Sequence, residues 1–176
     1  MTTAEVRIVD LDGYEPTDAE IVSWWEMMTA PDQLRWEYDD TWAETPTTAR
    51  NEIDSFRKWQ TERGDNYPFW AFVGERVVGM IGVNRGQGPA RRHSGEIGYG
   101  VAAAFTRQGI GSQLLAAAIQ KARQVGLLRL EANCFEDNEA SIALLRKFGF
   151  QEEGTRVGAI CKDGELRNEK LFALLL

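Results

Sequence analysis

The stretch TRQGIGSQLLAAAIQKA (106–122) sets Gly109 and Gly111 one residue apart where an apolar helical pattern begins. Glycines let a backbone approach a ligand closely, and a helix N-terminus directs unpaired N–H groups and a positive dipole end outward. The chemistry this suggests is the holding of an anion, phosphate foremost, on the amides of Arg107, Gln108, Gly109, Ile110, Gly111 and Ser112. The plain alternative is a glycine-assisted helix cap without a ligand. Proton-transfer chemistry has fewer candidates. Cys134 ends a strand, and His93 is the one histidine, in a basic loop where it forms no triad with its neighbours. A cysteine at a strand end is more often a small buried apolar group than a nucleophile.

Two other anion-binding motifs fail on context. Gly98, Gly100 and Ala103 spell the letters of a dinucleotide fingerprint but lie inside a strand pattern, ahead of the helix. No Gly-Lys-Ser/Thr follows the turn, so it is not a nucleotide-triphosphate loop.

These residues need a scaffold. The 176 residues, 43% hydrophobic and 27% charged, suit one globular domain. No apolar run reaches a membrane span, and no export signal opens the chain, so the expected compartment is the cytoplasm with no membrane partner. Two distant cysteines exclude a disulfide framework and leave no metal spacing. A net charge of −7 argues against gripping nucleic acid and favours a cationic partner such as an amine.

The pattern predicts a strand in AEVRIVDL and a helix capped by Thr17 with Glu20 three residues on. After an irregular acidic and aromatic piece, a second helix starts at Thr45-Pro46 and stops before Gly64. Strands follow in YPFWAFV, RVVGMIGV and GEIGYGVAAA. Ile110, Leu114, Leu115, Ala118, Ile119 and Ala122 then mark a helix with one buried face. A buried strand, LLRLEANC, a helix ending at Gly149 and a hairpin turning at Asp163-Gly164 complete an α/β chain of mixed type.

GEIGYGVAAAFTRQGIGSQLL followed by LRLEANCFEDNEASIALLRKFGFQEEG resembles the GNAT superfamily of acyl-CoA N-acyltransferases, in its branch acting on ribosomal-protein alanines and small amines. The resemblance runs from about Phe69 to the C-terminus. It implies a mostly antiparallel sheet of about seven strands, splayed between the fourth and fifth and flanked by about four helices. It also implies a single domain, 1–176, whose first 68 residues form the acceptor side and whose 69–176 part binds acetyl-CoA, without a metal.

On that pattern pyrophosphate rests on the amides of 107–112, with Arg107 adding charge. The pantetheine arm pairs with the fourth-strand edge near Val101 and Ala103, and Asn138 reaches it while also capping its helix. A tyrosine common in the family as general acid is replaced by Leu145. Ser141, one helical turn away, is the substitute donor or simply a small packing residue. Glu96 is the candidate base, with Glu131 second and better suited to a structural role. Trp36 and Trp42, flanking EYDD, form an aromatic and acidic wall for a cationic acceptor, or pin their loop to the core. The implied partners are a small-molecule amine or a peptide N-terminus, and a homodimer through the final LFALLL. The contrasting expectation is a CoA-binding regulatory module that has lost catalysis.

Overall fold

The computed structural model describes residues 5–36, 49–62 and 64–176. Strand β1 (Val6–Asp10) is followed by helices α1 (Asp18–Met28), α2 (Pro31–Leu34) and α3 (Ala49–Glu62). Then come β2 (Asn66–Val73), β3 (Arg76–Arg85), β4 (Ser94–Val101) and a 3-10 turn at Ala103–Phe105. Helix α4 (Ile110–Gln124), β5 (Arg129–Phe135), α5 (Glu139–Lys147), β6 (Gln151–Lys162) and β7 (Glu165–Leu175) complete the order. The strands form one seven-stranded sheet in the order β1-β2-β3-β4-β5-β7-β6, mostly antiparallel, with the β4–β5 pair parallel. Among the described residues no helix is long and apolar enough to cross a membrane.

Local sequence explains most elements. The Thr17 cap is a full capping box: Thr17 Oγ1 accepts from the Glu20 N–H at 3.2 Å, and the Thr17 N–H donates to Glu20 Oε2 at 2.7 Å. Burial pushes the Glu20 carboxyl up, but donation from Thr17 and from the Tyr14 hydroxyl outweighs it and holds the group below its ordinary value. The β6–β7 turn places both Asp163 (φ 54°) and Gly164 (φ 78°) in the left-handed region, as a type I′ hairpin requires. Pro31 nucleates a one-turn helix in a stretch whose composition reads as irregular. That brings the described helices to five, where the pattern predicts about four. The expected start of α3 at Thr45-Pro46 lies outside the described residues.

Two compact units arise from the packing, Met1–Gly82 with Tyr99–Ala118, and Val83–Gly98 with Ile119–Leu176. The first is centred on aromatic rings. Trp70, 1% exposed, stacks on Trp24 at 5.9 Å between centroids and touches Phe56 at 5.1 Å and Phe72 at 6.2 Å. Trp70→Ala is expected to lower the unfolding free energy by about 3–5 kcal/mol, measured by urea denaturation, because a large ring is deleted from a site that cannot collapse fully. The second unit buries Ile97, Leu130, Phe135, Leu145, Phe150 and Phe172. In it β7 runs between β5 and β6, so Phe172 and Ala173 of the terminal LFALLL are buried within the chain itself, while Leu175 stays exposed.

Candidate functional site

Between β4 and α4 the backbone turns twice into the left-handed region, at Arg107 (φ 60°) and Gly109 (φ 82°). Gln108 lies between them, outside that region, so the φ signs alternate through the turn. Alternation of this kind curls successive N–H groups around one concave point, an anion nest. The Gly109 carbonyl accepts the first α4 bond, from the Gln113 N–H at 3.1 Å. The N–H groups of Arg107, Gln108, Gly109, Ile110 and Gly111 donate to no backbone or side-chain acceptor among the described residues. Thr106 Oγ1 and Gln108 Nε2 are engaged differently, donating back to the Ala103 and Ala104 carbonyls and bracing the turn.

The strand leading into this turn ends earlier than its sequence suggests. β4 stops at Val101, so Ala103 is not strand edge as expected; it opens a 3-10 turn closed by the Phe105 N–H on the Ala102 carbonyl and the Thr106 N–H on the Ala103 carbonyl. The apolar run VAAA gives no sign of this, since alanine suits either conformation. The Ala102 N–H donates to the β3 carbonyl of Val78 at 2.9 Å. Successive strand amides alternate in direction, so the Val101 N–H points to the other edge of β4. Along that edge the pairing with β5 runs only from Ser94↔Arg129 to Ile97↔Ala132 and then ends, the expected splay.

Glu96 lies just inside the end of this pairing, opposite Glu131, with its side chain exposed. The Asn133 amide donates to Glu96 Oε1 at 3.3 Å. Asn133 was not singled out by sequence; alternation along β5 puts it on the same face as Glu131, which is the signal that finds it. Glu131 is taken up structurally, accepting from Arg129 Nε at 2.9 Å. Arg129 also makes a two-bond contact with the Glu153 carboxylate, which holds Glu153 below its ordinary value. The same two carboxylates raise the Arg129 guanidinium well above its usual range.

Helix α5 is capped by Asn138, whose side-chain oxygen accepts from the Ser141 N–H at 3.1 Å. Ser141 is buried, with its side chain beside the Cys134 thiol. Burial pushes that thiol upward, more than the serine contact lowers it, so Cys134 is a buried thiol as its strand position suggests. Leu145, where the resemblance puts a tyrosine, is completely buried.

Trp36, expected to form part of an acceptor wall, is half-buried under the Arg35 guanidinium, 4.7 Å from its ring centroid. Trp42 and EYDD lie outside the described residues. Gln33 of α2, missed by sequence because a lone glutamine carries no spacing signal, is a buried polar residue whose carboxamide lies against Gly100 of β4.

Residues 28–150 match the acetyltransferase (GNAT) family. The chain is 35% identical over 119 residues to the uncharacterized N-acetyltransferase YoaA of Bacillus subtilis (strain 168). That match covers 67% of this chain and 62% of the relative, less than two thirds of its length. The structure of a ribosomal-protein-alanine N-acetyltransferase from Brucella melitensis superposes with a TM-score of 0.79 at 25% identity, over 97% of this chain and 99% of that one. That of yncA from Salmonella typhimurium with its cofactor acetyl-CoA gives 0.76 at 19% identity, over 99% and 95%, a likeness of fold. The chain belongs to the acetyltransferase (GNAT) family.

Proposed function

We propose that this protein transfers the acetyl group of acetyl-CoA to a primary amine, of a small molecule, an amino acid or a peptide N-terminus, by direct attack with both substrates bound. The observation that carries the reading is the run of unpaired amides at 107–111, reached directly from the unpaired edge of β4. The five N–H groups suit a pyrophosphate. The β4 edge suits the amide-rich pantetheine arm, bound like an added strand at Val101 and passing the turn at Ala103, and Ser112 completes the pyrophosphate cradle. Acetyl-CoA supplies an activated thioester acyl group and a thiol leaving group of pKa about 8.5, which departs near neutral pH at little cost.

Glu96 takes the proton from the amine, directly or through a water. Being exposed, it needs no entry path for that water. The Val101 N–H meets the carbonyl oxygen as negative charge develops there. Ser141 is the remaining donor near the α5 start, and Trp36 is the described residue assigned to the acceptor wall. Acceptors with an α-amine suit this arrangement best. Deprotonation at pH 7 costs such an amine about 1 kcal/mol, against about 4.6 kcal/mol for a lysine. The ribosomal-protein-alanine acetyltransferase of the same fold is consistent with that preference. The same reading includes a cytoplasmic, single-domain protein and a homodimer through the end of β7, which light scattering across a concentration series tests.

Asn138 separates capping from cofactor contact. Asn138→Ala should cost about 1 kcal/mol of stability, and Asn138→Ser should restore most of it. CoA affinity, measured by calorimetry, should stay weakened in both, because serine caps the helix but cannot reach as the carboxamide does. Recovery of affinity in Asn138→Ser would remove the second role.

The buried Leu145 favours a second reading, a CoA-binding module without catalysis. A thiol-release assay with acetyl-CoA against pooled amino acids, polyamines, aminoglycosides and short peptides decides between them. Release that depends on one pool establishes the transferase and its acceptor class. CoA binding with silence in every pool supports the module.

A further inference from the structure

One residue outside the expected machinery is placed to act on the reaction. Gln33 is 7% exposed although polar, on a one-turn helix set by Pro31. A methyl group built on Gly100 would lie 2.2 Å from Gln33 Nε2, 2.8 Å from Cδ and 2.9 Å from Oε1, so the whole carboxamide covers the Gly100 Cα. With Gln33 in place no side chain fits at position 100, which accounts for the second glycine of GYG. The carbonyl of Gly100 lies beside Gly79 of β3. A methyl on Gly79 of β3 would meet that oxygen at 3.2 Å, together with Leu114 Cδ1 at 3.1 Å and Ile110 Cγ2 at 3.4 Å. The Gly100 carbonyl and the Val101 N–H belong to one planar peptide. At its Cα end that peptide is therefore covered by α2 through Gln33.

We infer that Gln33 is a positioning residue for acyl transfer: its carboxamide fixes the Gly100–Val101 peptide so that the Val101 N–H is aimed at the developing oxyanion. The inference rests on the acetyltransferase reading. Preorganised donors act only when their direction is set before reaction, and small misplacements are costly there. Removing the carboxamide leaves Gly100, with no Cβ of its own, free to rotate that peptide. The effect belongs chiefly on kcat, because the pyrophosphate amides at 107–111 are untouched and the rest of the acetyl-CoA contact persists when the Val101 amide alone is misaimed.

The test begins with wild-type turnover on an amine identified by thiol release, which stands or falls independently of Gln33. Gln33→Ala should then lower kcat about tenfold or more, with the acetyl-CoA dissociation constant within twofold by calorimetry. Gln33→Met, which keeps the volume over Gly100, should return kcat to within about threefold of wild type. Geometry is tested apart from activity. Gly100→Ala should lower the melting temperature, and adding Gln33→Ala to it should recover part of that loss, because the clash needs both side chains. An unchanged kcat in Gln33→Ala overturns the inference, as does a loss explained wholly by weaker acetyl-CoA binding. Additive melting shifts in the double variant overturn the contact on which it stands.

Discussion

Glu96→Gln is expected to lower kcat/KM for the amine by about 10²–10⁴-fold, the usual worth of a general base, with the CoA dissociation constant within twofold of wild type. Glutamine keeps the size of the side chain and an oxygen that can still accept from Asn133, whose amide lies 3.3 Å from the carboxylate, so the fold around the β4–β5 junction should persist. What is lost is the ability to take a proton. The size of the loss should depend on the acceptor, being greater for an amine of lysine type than for an α-amine, since the former is protonated at neutral pH far more completely. Steady-state kinetics with two acceptors of different basicity, beside calorimetry of CoA binding, gives the comparison. Equal activity in the variant with both amines would remove Glu96 from the reaction and leave the amine to deprotonate in bulk water before binding.

Gly111→Glu should abolish CoA binding while leaving the fold intact or slightly firmer. Gly111 is the second residue of α4 and has no left-handed φ, so a side chain meets no backbone strain there. A carboxylate in the first turn of a helix interacts favourably with the dipole, by about 0.3–1 kcal/mol, and helical propensity rises when glycine is replaced. The same charge stands at the concave face of the amides from Arg107 to Gly111. A pyrophosphate there would meet a fixed negative charge and a competitor for the same N–H groups. The expected result is a loss of affinity of about 100-fold or more, equivalent to about 2.7 kcal/mol, with an unchanged or raised melting temperature. The opposite signs on stability and binding make the measurement specific. A helix cap with no ligand would give the stability gain alone, with CoA affinity unaltered.

Gly109 shows how the turn's conformation is written locally. Its φ of 82° suits glycine and little else, so a reading of residue types finds it. The same holds for the Thr17–Glu20 box, the Asp163–Gly164 turn and the buried face of α4, where interactions span a few residues and the side chain itself carries the preference. Arg107 is a partial exception. Its φ of 60° is unusual for arginine, and only the braced loop around it, with Thr106 and Gln108 tied to the preceding turn, holds it there.

By itself, then, the sequence determined the order of the strands and of the longer helices, the glycine turn ahead of α4 and the family the chain resembles, because each is encoded in contiguous residues whose periodicity, cap or φ requirement is local. Tertiary structure alone decided which groups meet. Asn133 reaches Glu96 because β5 lies parallel to β4 in one register. Glu131 is engaged by Arg129 beside it, which also binds Glu153, a residue of β6. β4 ends at Val101 rather than running on through the alanines, and Gln33 covers Gly100 although the two are far apart in the chain. Such choices turn on strand register and on contacts between distant segments, whose energies depend on three-dimensional placement and leave no periodic trace along the sequence.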